Sequence, residues 1–406
     1  QYPERHPHVD QPRPGDPPVS HDWVYLDYAA TTPVDPVVAE VMRRYLTADS
    51  DFGNPSSLHA AGRAGSAAVQ DAAECLAQLV NCDPGRLVWT SGATEADNLA
   101  IFGVARSRAH RGKHLVTMPT EHKAVTDAFK ALEKAGFEVS WLQPQPGGLL
   151  DLDELEATLR ADTQLVSIMY VNNETGVVQD IAAIGALCAE RGVIFHIDAA
   201  QGLGKLSLDL TALEVDLVSM TAHKIYGPKG VGALYVKKRP DLNPEPMLFG
   251  GSQQGGLRPG TLPVHLIAGF GCAVDIARES MLGDFTHIKA LHDRFWHGVE
   301  SLPGIQRNGD PEATYPGIIN LSAAGIDGES LLLALEPLCV STGSACNSQS
   351  QEPSAVLRSM GLSNAMAESA VRLSFGRPTT AEEVDLAIDR YRAGVTRLRG
   401  MMPEAA

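Results

Sequence analysis

Positive charge is scarce in this 406-residue sequence: 33 lysines and arginines stand against 49 aspartates and glutamates, a formal net charge of −16. Direct nucleic-acid binding needs a basic face that neutralises phosphates, so no nucleic-acid partner is expected. Long apolar runs are lacking as well. No stretch reaches the roughly 20 apolar residues that span a bilayer, and the first 20 residues hold no leader-like apolar core, so no membrane association is expected. Cysteine is sparse, with six residues and no close-set pairs suited to a disulfide framework or a zinc site. A reducing cytoplasm fits that usage. Internal repeats are absent.

What is present is an ordinary globular mixture, 44% hydrophobic and 20% charged, long enough for two domains. Residues 1–22 are dense in proline and polar side chains and read as a disordered N-terminal extension. Order is expected from "WVYLDYAATTP" onward. From there to about residue 275, seven β-rich runs ("RLVWTS", "KHLVTM", "EVSWLQ", "LVSIMYV", "VIFHIDA", "DLVSMTA", "GALYV") alternate with helical patterns such as "TEADNLAIFGVARSR" and "IAAIGALCAERG". That alternation predicts an α/β fold around a mostly parallel sheet. Beyond residue 280 a long helical pattern, "DFTHIKALHDRFWHGVESL", leads into mixed elements. The expected division is a large α/β domain at 34–281 and a small α+β domain formed by 23–33 plus 282–406.

Ligands of open α/β sheets sit beyond the carboxyl ends of the strands, and four strand ends here finish in unusual polar residues. "VWTSGATEADN" runs a strand into Ser91, Gly92, Ala93 and Thr94 before a helix, a junction that binds anions or simply caps the helix. "MYVNNETG" places two asparagines where they either start a turn or donate to a ligand oxygen. "FHIDAAQG" ends an apolar strand in Asp198, which needs a cationic partner, water or a capping role. "TAHKIYGPKG" puts Lys224 where the chain leaves a core strand; it either snorkels to solvent or serves as an amine nucleophile. Together the four supply an anion cradle, an amide donor, a partner for a ring cation and an amine, which is the equipment for pyridoxal 5'-phosphate.

Longer ordered matches run from Tyr25 to Leu398: "YLDYAATTPVDP", "SGATEADNLAI", "TEHKAV", "VNNETGVVQDI", "HIDAAQ", "AHKIYGPKGVGALYV", "PGTLPV", "STGSACNSQSQEPS" and "VRLSFGRPTT". Through them the sequence resembles the cysteine desulfurases of the NifS/IscS group, among the class V aminotransferase-like enzymes. The resemblance implies the fold-type I architecture, with a mostly parallel seven-stranded sheet and a smaller α+β domain. It also implies conversion of L-cysteine to L-alanine, with the sulfur held as a persulfide for a protein acceptor.

By this resemblance Lys224 is the lysine bonded to the cofactor and Asp198 the partner of its ring nitrogen. Gln201 and Asn173 lie by the ring oxygen, with Asn173 also close to substrate. Ala93, Thr94, Thr221 and His223 form the phosphate cradle, and Thr261 reaches the phosphate from the second subunit of a homodimer. His122 stacks over the ring and takes part in proton transfer, and Arg372 receives the substrate carboxylate. Cys346 is implied as the sulfur nucleophile and as a candidate ligand for a transferred iron–sulfur cluster. A lone cysteine is usually a buried hydrophobe, which suits the apolar surroundings of Cys75, Cys188 and Cys272. Cys346, beside Ser344, Asn347 and Ser348, reads instead as an exposed loop thiol.

Some positions depart from the group's pattern. Thr221 stands where serine is common but keeps the hydroxyl, and Gln254-Gly255 stands where Glu-Arg is frequent. The sequence stops soon after "VTRLRGMMPEAA", short of the tail with which IscS proteins dock an iron–sulfur scaffold. Other pyridoxal phosphate chemistry, such as transamination or selenocysteine lysis, and a non-catalytic adaptor role are the competing expectations. Cys346 argues against transamination, selenocysteine stays open as a side substrate, and the presence of Lys224, Asp198 and Cys346 together argues against the adaptor.

Overall fold

A computed structural model of the chain describes residues 22–342 and 353–401. Residues 1–21 of the expected extension lie outside the described residues, and so does Cys346. In chain order the strands are β1 (Val24–Tyr25), β2 (Leu87–Thr90), β3 (His114–Thr117), β4 (Glu138–Trp141), β5 (Thr163–Ser167), β6 (Ile194–Asp198), β7 (Leu217–Thr221), β8 (Gly232–Val236), β9 (Ile305–Asn308), β10 (Ile318–Ala323), β11 (Leu338–Cys339) and β12 (Ala370–Ser374).

Strands β2 to β8 form one sheet in the order β2-β8-β7-β6-β5-β3-β4, in which β8 alone runs antiparallel to its neighbours. Every residue of β5, β6 and β7 is buried, as expected for strands covered on both faces. On one face the helices Ala60–Val80 and Val264–Val299, the latter contributing Phe270, close over Trp89 and Phe195. On the other, Ala93–Ser107 and Lys123–Lys134 close over Leu115, Leu165 and Phe129. All seven strands read from the sequence are present. β5 starts two residues earlier than "LVSIMYV" suggests and ends at Ser167, although Ile168 and Tyr170 still donate backbone bonds to His196 and Asp198 of β6.

A second, antiparallel sheet, β12-β10-β9, has its own core of Leu26, Phe295, Leu321, Leu373 and Tyr391. Its covering helix Ala381–Gly400 begins in a reciprocal cap between Thr380 and Glu383. The helix legible in the sequence from Asp284 actually begins at Val264 and runs 36 residues, passing through the expected boundary at 281/282. Its first half is masked in the sequence by glycines. Gly271 is needed there for close approach, since a Cβ would lie 2.7 Å from the Ala72 Cα of the neighbouring helix. No helix among the described residues is long and apolar enough to cross a membrane.

Residues 24–35 tie the two sheets together. β1 pairs with β11, and the Ser374 N–H of β12 donates to Leu26 O at 2.7 Å. The Ala29 N–H donates to Ser374 Oγ at 2.8 Å. On the other side, Thr32 N–H reaches His223 O and Asp35 N–H reaches Tyr226 O, both at 2.9 Å. Ser374→Ala would leave the buried Ala29 N–H unpaired, at a cost of about 1–3 kcal/mol. The expected result is a lower urea midpoint with an unchanged slope; an unchanged midpoint would mean that this N–H has another partner.

Candidate active site

The carboxyl ends of β2, β5, β6 and β7 open on a cavity of about 560 Å³, a size usual for a cofactor with its substrate. Lys224, Asp198, Gln201, His122, Asn173, Thr221, His223, Arg372, Ala93 and Thr94 all line it. The structure therefore brings ten of the twelve expected site residues together.

One wall is the start of helix Ala93–Ser107. Gly92 precedes it with φ 155° and ψ 179°, a region open essentially to glycine, so the helix's first N–H groups face the cavity without an intervening side chain. The position is doubly constrained, because a Cβ on Gly232 of β8 would lie 2.7 Å from Gly92. Behind the turn, Glu95 accepts from Ser91 N–H at 2.7 Å and from Arg258 at 2.8 and 3.2 Å. Against the burial that raises it, these donors hold the Glu95 carboxyl below its usual range. The charge stays on Glu95, and the wall is braced from outside.

The floor is acidic. Asp198, at the end of β6, is buried and accepts from Ala200 N–H at 2.8 Å. Asp97 and Glu121 are buried nearby; neither oxygen of Asp97, nor Oε2 of Glu121, has a hydrogen-bond partner. Burial pushes all three carboxyls up, and the charge on Asp198 pushes Asp97 and Glu121 further. His122 and Lys224 favour the charged form of Asp198. His196 lies 3.6 Å from Asp97 but is pushed down to about 3 by burial, so it stays neutral between Ser167 and Ser219. A floor of this kind favours one negative charge, on Asp198, and a cationic ligand atom above it.

Lys224 follows β7 in a single helical turn, and its Nζ donates to Ala29 O and, at 2.7 Å, to Ala30 O. His223 Nδ1 meets Thr31 Oγ1 at 3.1 Å, and its ring is pushed down to about 4 by burial and by Lys224, Lys229 and Lys205. His122 caps helix Lys123–Lys134, its Nδ1 accepting from Ala124 N–H at 3.1 Å, so Nε2 is the ring nitrogen left to carry a proton. The two asparagines divide the alternatives left open by the sequence. Asn172 Oδ1 builds the turn by accepting from Glu174 N–H and Thr175 N–H, both at 2.9 Å, while Asn173 lines the cavity.

Arg372, on β12, is buried; it donates to Asp27 at 2.6 Å and to Asn173 O at 2.7 Å, and its Nε has no partner. A carboxylate entering here meets a cation with unused hydrogen-bonding capacity. Beside Arg372, Ser341 is held to β12 by paired backbone bonds of 3.1 and 2.6 Å. Ser354 donates to Glu174 at 2.5 Å. Thr261 is the described site residue that does not line the cavity; it is exposed. Sequence reasoning missed Asp27, Asp97, Glu121 and Lys205. The strand-end pattern points only at residues on the rim, and these four act from the floor or from other segments.

Residues 24–386 match the aminotransferase class-V family. The chain is 52% identical over 381 residues to the cysteine desulfurase IscS of Klebsiella pneumoniae, an alignment covering 94% of each protein. Among solved structures, a NifS-like protein superposes with a TM-score of 0.86 at 33% identity, covering 93% of this chain and 100% of that one. SspA in complex with cysteine does so with a TM-score of 0.78 at 35% identity, covering 88% and 99%. The chain belongs to the class-V aminotransferase family and, within it, to the NifS/IscS group of cysteine desulfurases. Its fold is the fold-type I architecture of these pyridoxal phosphate-dependent enzymes.

Burial pushes the Cys75, Cys82 and Cys188 thiols up to about 12, and raises Cys272 and Cys339 as well. Thiolate reactivity at pH 7 should therefore be negligible at Cys75, Cys82 and Cys188 in the native protein. Brief iodoacetamide treatment followed by peptide mass spectrometry should find these three unmodified. Rapid labelling of any of them would contradict the packing described.

Proposed function

We propose that this chain is a pyridoxal phosphate-dependent cysteine desulfurase that converts L-cysteine to L-alanine and carries the sulfur as a persulfide on Cys346. The observation that carries this reading is the convergence of Lys224, Asp198, Arg372 and the Ala93 helix start on one cavity. These residues fit the cofactor. The glycine-opened helix N-terminus suits a phosphate, the acidic floor with its unpaired carboxyl oxygens suits a cationic ring nitrogen, and Lys224 offers an amine to an aldehyde. When bound, the cofactor supplies that aldehyde and a ring that takes up electrons from the substrate α-carbon.

The protein's own groups do the rest. Arg372 binds the substrate carboxylate, aided by Asn173, and so orients the α-carbon toward Lys224. Lys224 would remove the α-proton, with Asp198 and Gln201 placed to steady the charge of a bound ring and His122 placed to move a proton. The Cys346 thiolate attacks the substrate sulfur; the carbon–sulfur bond breaks, its electrons return to carbon, and protonation there yields alanine. One L-cysteine and one thiol thus give one alanine and one persulfide. Thr221, His223, Ala93 and Thr94 would hold the phosphate of the bound cofactor.

The exposure of Thr261 supports the homodimer reading, in which it serves the second subunit's phosphate. The two separate cores support domains at 34–281 and at 23–33 plus 282–406, linked by the long helix. A protein acceptor takes the sulfur, and the absence of a membrane-crossing helix among the described residues fits work in the cytoplasm.

Borohydride reduction followed by peptide mapping should find the cofactor mass on Lys224, and Lys224→Ala should carry none. A reduced adduct retained on another lysine with turnover intact would sink the assignment. Cys346→Ala, by contrast, should bind L-cysteine and perturb the visible spectrum, yet lose alanine release by several orders of magnitude. Near-normal alanine production by this variant would replace desulfuration with another cysteine-consuming reaction.

A further inference from the structure

The hydrogen bonds of the site continue behind Gln201 to a second amine. Lys205 Nζ, half-buried, donates to Gln201 Oε1 at 2.8 Å and stands 5.5 Å from the centre of the Tyr315 ring. Gln201 Nε2 donates to Ala29 O at 2.7 Å, and Lys224 Nζ donates to that same carbonyl. An ammonium group can only donate and a carbonyl can only accept. The two neighbours therefore dictate which end of the buried Gln201 amide faces which way.

Lys205 and Lys224 also share a smaller cavity of about 30 Å³, lined in addition by Tyr226, Tyr315, Asp284 and Arg377. Burial, then the charges of Lys224 and Arg372, push the Lys205 amine down to about 7. Keeping an amine in this position works against its own protonation, which gives the contact with Gln201 a role to explain.

We propose that Lys205 is a positioning residue. It locks the Gln201 amide with its N–H side on the Ala29 carbonyl, and so fixes the carbonyl that Lys224 uses while placing a second cation behind the site. Without Lys205, Gln201 Oε1 loses its donor, and an amide held only at its N–H end fixes Ala29 O, and with it residues 27–32, less firmly. The first part needs no cofactor; the second rests on the cofactor reading above.

Two measurements separate these parts. In cofactor-free protein, hydrogen exchange of the peptide spanning residues 24–32 should be about five-fold faster in Lys205→Met and near wild type in Lys205→Arg. Adding Lys205→Met to Gln201→Ala should change it little further. In protein reconstituted with pyridoxal phosphate, loss of the charged fraction of Lys205 should raise the pH midpoint of the visible absorbance. Lys205→Arg should restore it.

Unchanged exchange in a folded Lys205→Met variant would overturn the proposal, as would an undiminished effect in the Gln201→Ala background. If exchange responds but the midpoint does not, the electrostatic part is wrong. A wild-type protein that shows no visible band overturns the cofactor reading and leaves the exchange result to judge the amide lock.

Discussion

Two neighbouring backbone carbonyls, Ala29 O and Ala30 O, receive the Lys224 amine and tie the end of β7 to a segment that both sheets share. The carbonyls belong to a short segment that the three-stranded sheet fixes through Ser374 and the seven-stranded sheet fixes through His223. The same segment offers Asp27 to Arg372 at 2.6 Å, so the proposed substrate anchor and the amine are referenced to one stretch of backbone. A displacement of either sheet would alter the distance between them. Positioning at this level matters because a misplacement of about 1 Å can cost two orders of magnitude in rate.

Electrostatics beneath the site follow from desolvation rather than from pairing. Asp97, Glu121 and Asp198 are crowded into the interior, and the histidine among them is held neutral by burial. Three adjacent buried carboxylates would repel one another and lack solvation, so the arrangement favours neutral Asp97 and Glu121 beneath a charged Asp198. The unpaired oxygens of Asp97 show that the interior tolerates a costly group here. Such cost is typical of places where a ligand's charge is part of the design.

Much of this was legible in the sequence, and the reasons are local. The buried parallel strands appear as continuous Val/Ile/Leu runs, and the residues at their carboxyl ends must face a common crevice, which is how Lys224, Asp198 and Thr94 were found. Periodicity failed where packing required small residues, as in the glycine-bearing first half of the helix from Val264. It also could not separate Asn172 from Asn173, whose roles differ although they are adjacent. Asp27, Asp97 and Lys205 were out of reach for another reason: each acts on a residue 345, 101 or 4 positions away through a fold not yet known. The exchange of Glu-Arg for Gln254-Gly255 gains a local meaning, since the Gln254 amide bonds both Trp89 N–H and Trp89 O on the edge strand β2.

The bonds at Ser341 and Ser354 fix the two flanks of the stretch that holds the proposed sulfur carrier. Ser341 is stitched to Arg372 at the cavity, and Ser354 to Glu174 beside Asn173, so the chain between them is moored at both ends. Cys346 lies five peptide units beyond the first mooring. If Cys346 carries the sulfur as proposed, it is delivered from a stretch whose flanks are fixed at Ser341 and Ser354, so delivery becomes a question of how close a partner's surface can approach those two points.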